Sequence, residues 1–248
     1  VREIEENYSE ELQITASAPM AGPYSMSGAQ AEMLEAGEEY PSPAYLPYVL
    51  FAYNKIYNLY DDINEVLVAP YSDFLLSMYD GTNYIYTINA TLPSVPIEIF
   101  EESYYQEYLN NEDHPFKLAL IDNDVYDFTP QAPMRLLHCN GDDNVTYQNA
   151  VVAYNSFIDS GAENVELIDG GNLNHEDCFG GAVVGAKLWI DSMVDFCNTT
   201  ISENETNNQK TLIKIIDFLG RNLDGIERNK HHIYIYSDGS VKKEILIK

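Results

Sequence analysis

Basic residues are scarce in this sequence. Its 248 residues include 13 lysines and arginines against 40 aspartates and glutamates, which gives a formal net charge of −27. A surface of that sign repels nucleic-acid phosphates and anionic lipid headgroups. Long apolar runs are also missing, because no stretch approaches the roughly 20 apolar residues of a membrane-spanning helix. The sequence therefore predicts no nucleic-acid partner and no membrane span.

Cysteine is scarce as well, with residues only at positions 139, 178 and 197. Three cysteines give neither a disulfide framework nor the spacing of a metal site. The cysteines therefore predict no metal site, and nothing else in the sequence implies a metal ion or an organic cofactor. Cys178 could pair with Cys197 in an oxidising compartment, which would leave Cys139 buried and free.

A leader segment is not seen at the start of the sequence. The chain opens on Val1 and continues with a charged, helix-like run, without the basic, apolar and small residues of a signal peptide. We therefore expect the chain to begin inside a larger protein.

The middle of the chain, from about 29 to 120, has a mostly helical pattern. Apolar residues recur at helical spacing from Leu46 to Tyr60 and form one stripe. The further helices that the pattern predicts cover 70–79, 98–110 and 114–122. Ahead of this region, the run from Leu12 to Gly22 has the small and apolar residues of a buried strand.

Strands and helices alternate between 134 and 196. A short apolar strand, Met134–Cys139, precedes a turn and then a helix from Val145 to Ser160. Val165–Ile168 is a second strand, and a helix from about Gly180 to Phe196 closes this part. Strand, helix, strand and helix in succession predict an α/β fold with a parallel sheet.

The C-terminal part of the chain has a different pattern. Residues 198–209 are polar with a single apolar residue, which is typical of a linker. Beyond them, Leu212–Leu219 is a predicted strand, and two more apolar runs flank the turn Ser237-Asp-Gly-Ser. The sequence thus predicts a small β-rich tail from 210 to 248.

Two loops carry the residues that point to chemistry. Asp142 and Asp143 follow the first predicted strand, and His175 follows the second. Functional groups gather at the carboxyl ends of strands in open α/β sheets, and acid before histidine is the chain order of the α/β-hydrolase triad. In that triad the carboxylate orients the imidazole, which takes the serine proton. Taken singly, such residues are more often turn formers and solvated loop residues.

Several segments resemble bacterial secreted α/β-hydrolases of the lipase and esterase type. Ala16-Ser-Ala-Pro-Met-Ala-Gly-Pro-Tyr is similar to the strand after their nucleophile helix. Pro41-Ser-Pro-Ala-Tyr-Leu-Pro-Tyr begins a stretch similar to their cap insertion. The segment from Asn123 through Gly141-Asp142-Asp143 to Asn149 resembles their acid-bearing segment, and Asn174-His175 resembles their histidine loop.

The resemblance covers about residues 1–197 and places a helical cap at about 29–120. It implies a partial α/β-hydrolase fold that contains the last strands of the parallel sheet. It also implies hydrolysis of a small-molecule or lipid carboxylic ester through an acyl-enzyme. The implied catalytic residues are Asp142 as the orienting acid, with Asp143 in reserve, and His175 as the general base.

The nucleophile motif of that family is absent from this sequence. No serine has glycine two residues before it and two residues after it, as Gly-x-Ser-x-Gly requires, and Ser25 and Ser27 come nearest. We expect the nucleophile and both oxyanion-hole donors to lie upstream. This chain alone is therefore expected to be inactive.

The tail carries a resemblance of its own. The run from Thr211 to Arg221 and the terminal hairpin ending in Lys242–Lys248 resemble a C-terminal sorting domain of Bacteroidetes type IX secretion. This resemblance implies a secreted or cell-surface protein whose tail binds the export machinery.

Two other functions remain open from the sequence. A relative that lost the serine could bind a glycan or a protein through its tyrosine-rich cap, and a peptidase could have the same fold. A triad pair requires the side chains of Asp142 and His175 to lie within hydrogen-bond distance. An enzyme requires the cap tyrosines to line a pocket leading to His175, whereas a binding module requires an exposed platform.

Overall fold

A computed structural model of the chain describes residues 1–193, 211–216, 222–223, 225, 231–237 and 239–245. The chain divides into two compact units, Val1–Asp195 and Phe196–Lys248. The first unit combines helices with a parallel sheet, and the second contains an antiparallel sheet. The predicted linker at 198–209 lies outside the described residues, as does Cys197.

The first unit is mostly helical, and its parallel strands lie toward its C-terminal end. In chain order, its helices and strands are α1 (Arg2–Asn7), α2 (Ala31–Glu35), α3 (Tyr45–Tyr57), α4 (Tyr71–Phe74), α5 (Ile85–Asn89), α6 (Glu102–Asn110), α7 (Pro115–Asp122), β1 (Met134–His138), α8 (Gln148–Asp159), β2 (Val165–Asp169) and α9 (His175–Met193). Short 3₁₀ segments cover Ile63–Glu65, Leu75–Tyr79 and Pro96–Ile99, and a π-helical turn covers Met26–Gln30.

β1 and β2 form the parallel sheet that the alternation of strands and helices predicts. They pair in register from Met134 opposite Val165 to His138 opposite Asp169. Helix α8 connects them and packs its apolar side against the sheet, where Phe157 and Leu136 are almost fully buried in one hydrophobic cluster. Because the two strands are parallel, the loops that follow them leave the sheet at the same edge.

The run from Leu12 to Gly22 is not the regular strand that its composition predicts. It lies beside β1 in parallel, but only as isolated bridges from Ser17 to Met134 and from Met20 to Leu137. The hydrogen bonds on either side are present, since Arg135 N–H donates to Ser17 O at 3.0 Å and Leu137 N–H to Pro19 O at 2.9 Å. Proline has no N–H, so the ladder is interrupted at Pro19.

Helix α9 begins at His175 rather than near Gly180. The side chain of Asn174 caps it, because its Oδ1 accepts the N–H of Asp177 at 2.8 Å. Gly180, where the sequence predicts the start, lies inside the helix.

Helix α9 packs against β1 through one aromatic side chain. Trp189, the single tryptophan of the sequence, is buried, and the guanidinium of Arg135 lies 4.7 Å from its ring centroid. Arg135 also donates from Nε to Glu166 on β2 at 2.8 Å. Arg135 therefore contacts both helix α9 and strand β2.

The residues between the first helix and β1 enclose a second hydrophobic cluster. Leu50, Val66 and Leu75 are fully buried in it. The predicted apolar stripe from Leu46 to Tyr60 is wrong at Ile56, which is 74% exposed. The later residues of the stripe, Tyr53, Tyr57 and Tyr60, are partly buried and pack against the same cluster.

The predicted helix at 98–110 is divided in the structure. Val68 N–H donates to Ile99 O at 2.9 Å, and Glu101 N–H donates to Val66 O at 2.8 Å. These two hydrogen bonds hold Phe100 extended opposite Leu67, so α6 begins only at Glu102. Pairing with a distant segment thus overrides the local helical pattern.

The second unit contains an antiparallel sheet in the order β3-β4-β5. Its strands are β3 (Leu212–Ile216), β4 (His231–Tyr236) and β5 (Val241–Ile245). In the turn between β4 and β5, Tyr236 N–H donates to Ser240 O at 3.0 Å, and Gly239 has a positive φ of 81°. Among the described residues, no helix is both long and apolar enough to span a membrane.

Candidate active site

The Asp142 carboxylate lies at the centre of the candidate site. Its side chain is fully buried, and its Oδ2 accepts a hydrogen bond from His175 Nδ1 at 2.8 Å. Oδ1 accepts the backbone N–H groups of Asn144 at 3.0 Å and of Val145 at 2.9 Å. The sequence-predicted acid and histidine are thus in direct contact.

Hydrogen bonding keeps this enclosed carboxylate ionised. Burial raises the pKa of Asp142, but hydrogen bonds from His138, the Val145 N–H, His175 and the Asn144 N–H together lower it by more. The pKa of Asp142 therefore falls to about 2, against an ordinary value of 3.8. A full negative charge faces the His175 ring at neutral pH.

His175 occupies the first turn of α9, where both its backbone and its ring are held. Asp143 Oδ1 accepts the backbone N–H of His175 at 3.2 Å. The reserve acid therefore contacts the histidine backbone, while Asp142 contacts the ring. The His175 side chain is 35% exposed, so part of the imidazole remains accessible to solvent.

A disulfide joins the same two segments a short distance from this contact. It links Cys139 to Cys178, with the two Cα atoms 6.0 Å apart. The predicted pairing of Cys178 with Cys197 and the prediction of a free Cys139 are wrong. Parallel pairing of β1 and β2 brings the residues after β1 next to the first turn of α9, and the spacing of cysteines along the chain does not carry that information.

Gly141 allows the two loops to approach each other closely. A Cβ added at this position would lie 2.5 Å from Asn172 Oδ1 and 3.1 Å from the backbone C of Asn172. A side chain here would require the Asn172 side chain to move and the backbone of Asn172 and Leu173 to shift slightly.

His138 is a site residue that the sequence analysis did not single out. Its side chain is fully buried, and its Nε2 lies 2.8 Å from the carbonyl oxygen of Val145 and 3.3 Å from Asp142 Oδ2. The signal was a histidine at the last position of a buried strand, four residues before the candidate acid. A buried polar side chain at that place needs a hydrogen-bond partner.

Buried amide groups connect the predicted cap, about 29–120, to the Asp142 loop. Asn149, fully buried on α8, accepts the N–H of Ser25 at 2.9 Å and donates to Gln30 Oε1 at 2.9 Å. Gln30 Nε2 donates in turn to the Asn144 carbonyl at 3.1 Å, and Tyr40 donates to the same oxygen at 2.8 Å. The backbone next to Asp142 is therefore tied to the cap by side chains that sequence reasoning missed.

A cavity of about 300 Å³ adjoins the Asp142 loop. Aromatic residues of the cap make up much of its wall, and Asn144 and Val145 close one side. The tyrosines that line it are Tyr40, Tyr45, Tyr48, Tyr104, Tyr105 and Tyr108. Burial raises the pKa of Tyr40, Tyr104 and Tyr108, so these phenols stay neutral. Of the described residues that line this wall, Glu35 alone is charged, and its Oε1 accepts the Tyr108 hydroxyl at 2.5 Å.

Other cap tyrosines lie outside this cavity. Tyr84 and Tyr86 are exposed and stack with ring centroids 5.5 Å apart. The cap therefore contains both a lined pocket and an exposed aromatic pair. The pocket reaches Asn144 and Val145, which hold Asp142, and His175 is not among its lining residues.

Neither of the two serines nearest to the nucleophile motif contacts His175. Ser27 donates its hydroxyl to Asp124 at 2.6 Å, and Ser25 Oγ accepts the Ala29 N–H at 3.2 Å. Within the described part of the chain, no group of three or more His, Cys, Asp or Glu side chains is arranged to hold a metal ion.

Comparison with known proteins gives matches among solved structures alone. No protein-family model and no curated protein matches the sequence. The rice cell wall degrading esterase LipA from Xanthomonas oryzae is 26% identical over 78% of this chain and 55% of its own, with a TM-score of 0.70. A putative hydrolase from Legionella pneumophila is 22% identical over 77% of this chain and 51% of its own, with a TM-score of 0.71.

Candida antarctica lipase A in its closed state is more distant. It is 15% identical over 77% of this chain and 44% of its own, with a TM-score of 0.52. The chain spans about half the length of the solved structures it matches. The fold is therefore a mixed α/β arrangement of parallel sheet and helices like that of esterases and lipases, as predicted.

Proposed function

We propose that this chain is the C-terminal part of a secreted serine hydrolase that cleaves carboxylic esters through an acyl-enzyme. The observation that carries the proposal is the 2.8 Å contact between Asp142 and His175. The two residues follow neighbouring parallel strands, in the chain order that the serine triad of this fold requires. An exposed part of the histidine ring is left for a substrate and a nucleophile.

In this proposal His175 is the general base and Asp142 orients it. The carboxylate accepts a hydrogen bond from Nδ1–H, which keeps the ring proton on Nδ1. Nε2 therefore remains the basic nitrogen that takes a proton from serine and returns it to the leaving alcohol. The negative charge of Asp142 stabilises the imidazolium that forms in between. Asp142 itself stays ionised, because four hydrogen bonds keep its pKa at about 2. The serine and both oxyanion-hole donors come from the part of the protein upstream of Val1.

The aromatic cavity is the proposed site for the acyl group of the ester. Its wall is almost entirely apolar and aromatic, and it abuts the two residues whose N–H groups hold Asp142. An apolar acyl chain gains about 0.8 kcal/mol for each CH₂ that it buries there. The lined pocket supports an enzyme, although His175 does not line it, and the exposed Tyr84–Tyr86 pair is the feature that a binding module would use.

The test begins with the coding DNA upstream of Val1. We expect it to encode Gly-x-Ser-x-Gly shortly before α1, and the longer polypeptide to hydrolyse 4-nitrophenyl esters. His175→Ala should then lower kcat by about 10⁴-fold or more, whereas the control Glu176→Gln, an exposed carboxylate on the same helix turn, should leave kcat unchanged.

The other results of this test would each support a different function. An upstream region without such a serine, or full activity in the His175→Ala variant, would refute the ester-hydrolase proposal and favour the non-catalytic binding module. Cleavage of amide but not ester analogues would identify a peptidase of the same fold.

Export is the second part of the proposal. The Cys139–Cys178 disulfide supports it, because such bonds persist in oxidising compartments outside the cytosol. The β-rich tail, 210–248, would bind the type IX export machinery. Deletion of 198–248 in a host with that machinery should leave the protein inside the cell, while the intact chain reaches the surface or the medium. Equal export of both forms would refute the sorting role.

A further inference from the structure

The Asp142 carboxylate contacts two imidazole rings. Its Oδ2 lies 2.8 Å from His175 Nδ1 and 3.3 Å from His138 Nε2. Its Oδ1 accepts the backbone N–H groups of Asn144 and Val145. An ionised carboxylate has about four acceptor positions. Three N–H groups donate to the carboxylate and His138 Nε2 lies 3.3 Å from Oδ2, so all four contacts are kept in only one orientation of the group.

The contacts of His138 assign its proton. Nε2 lies 2.8 Å from the Val145 carbonyl oxygen, which can only accept, so the ring is protonated at Nε2. That single N–H points to Val145 O, and Asp142 Oδ2 lies 3.3 Å from the same nitrogen. Nδ1 has no hydrogen-bond partner among the described residues. The two rings on Asp142 therefore differ, since His138 is fully buried and His175 is partly exposed.

His138 also closes the loop that carries Asp142. It is the last residue of β1, and its bond to Val145 joins the two ends of the 138–145 loop. Its ring packs edge-on against Tyr147, with the centroids 5.7 Å apart. Asp169, which pairs with His138 across β1 and β2, is a further ionisable neighbour.

We propose that His138 is a positioning residue that holds the Asp142 carboxylate in the orientation that meets His175. The inference rests on the proposed function, because the orientation of Asp142 toward His175 matters for a reaction that uses both residues. Removal of the His138 donor leaves a buried acceptor site on Oδ2 unpaired. The carboxylate then gains proton affinity and loses the contact that fixes its rotation.

The test uses the intact chain and follows the Asp142 carboxyl carbon by ¹³C NMR from about pH 7 downward. His138→Phe removes the donor but keeps a ring against Tyr147, and His138→Gln restores an N–H donor. We expect His138→Phe to raise the proton affinity of Asp142 by about tenfold or more, which is one pKa unit. His138→Gln should recover most of that difference.

Two results would overturn the proposal. One is an Asp142 titration in folded His138→Phe that matches the unsubstituted chain. The other is an equal rise in both variants, which would indicate a general loosening of the loop.

A measurement on the unsubstituted chain covers the case in which neither variant folds. The ¹⁵N shifts of His138 should identify a ring protonated at Nε2 at neutral pH. A ring protonated at Nδ1, with Nε2 bare, would exclude donation to Asp142 and overturn the proposal.

These readouts need no nucleophile, so they are separable from the proposed function. In an active longer polypeptide, His138→Phe should lower kcat by about tenfold with KM unchanged, and His138→Gln should rescue it. An inactive polypeptide with the expected NMR result would refute the hydrolase proposal alone. An active enzyme in which His138→Phe changes neither kcat nor the Asp142 titration would refute only the role of His138.

Discussion

The disulfide makes the most direct prediction about stability. Cys139 and Cys178 are 39 positions apart, so breaking their bond releases a loop of that length in the unfolded chain. The chain-entropy relation gives about 13 cal/mol/K for such a loop, or about 4 kcal/mol at 25 °C. For a unit of this size, each kcal/mol corresponds to a change in Tm of about 2–4 °C. The double variant Cys139→Ser with Cys178→Ser should therefore melt about 8–16 °C lower.

The assay is thermal and urea unfolding followed by circular dichroism, with and without a thiol reductant. Reductant should bring the unsubstituted chain to the stability of the double variant and leave the double variant unchanged. Cys197→Ser is the matched control, and we expect it to retain the full stability. A loss below about 1 kcal/mol in the double variant would refute the loop-closure argument. An equal loss in Cys197→Ser would refute the pairing itself.

Three further perturbations test the surroundings of the same site. The low pKa of Asp142 makes its ionised form stabilise the fold above about pH 3.8, and that contribution, about 2 kcal/mol, is lost as the pH falls through about 2. In urea unfolding, Asp142→Asn should be about 2 kcal/mol less stable at neutral pH, and its unfolding free energy should change less with pH between about pH 4 and 2. If the variant kept the full pH dependence of its unfolding free energy, Asp142 would not be the group responsible. Gly141→Ala should cost about 1–3 kcal/mol in unfolding free energy, because its Cβ would lie 3.1 Å from the backbone of Asn172 and Leu173; the control Gly180→Ala, inside α9, meets nothing within 4 Å and should stabilise by about 0.5–1 kcal/mol, and equal stability of the two would contradict the contact. Asn149→Ala should cost about 3 kcal/mol, because it leaves the Ser25 N–H and Gln30 Oε1 unpaired; a loss below about 1 kcal/mol would mean that other groups replace those bonds.

The sequence predicts those parts of the site that depend on chain order. Asp142 and His175 could be found because each follows a strand of a parallel sheet, and parallel strands deliver their loops to one edge. The cysteine pairing could not be found in the same way. It depends on which loop faces which turn of α9, and the order of the cysteines along the chain does not give that contact.

Other features depended on contacts between distant segments. Phe100 is extended because it pairs with Leu67, and a local helical pattern carries no sign of that partner. His138 looks like any residue at the end of an apolar strand until the Asp142 carboxylate is found beside it. Pro19 is the exception, since its missing N–H is visible in the sequence and accounts for the interrupted strand.

The position of Trp189 gives this protein an optical reporter. Because the sequence has a single tryptophan, all indole fluorescence comes from one place, the face of α9 that packs under Arg135 on β1. The same helix begins at His175. A shift of the emission maximum, or a change in quenching by acrylamide, therefore reports whether that helix is packed against the sheet. The tyrosines of the predicted cap and the residues of the second unit do not contribute to the indole signal.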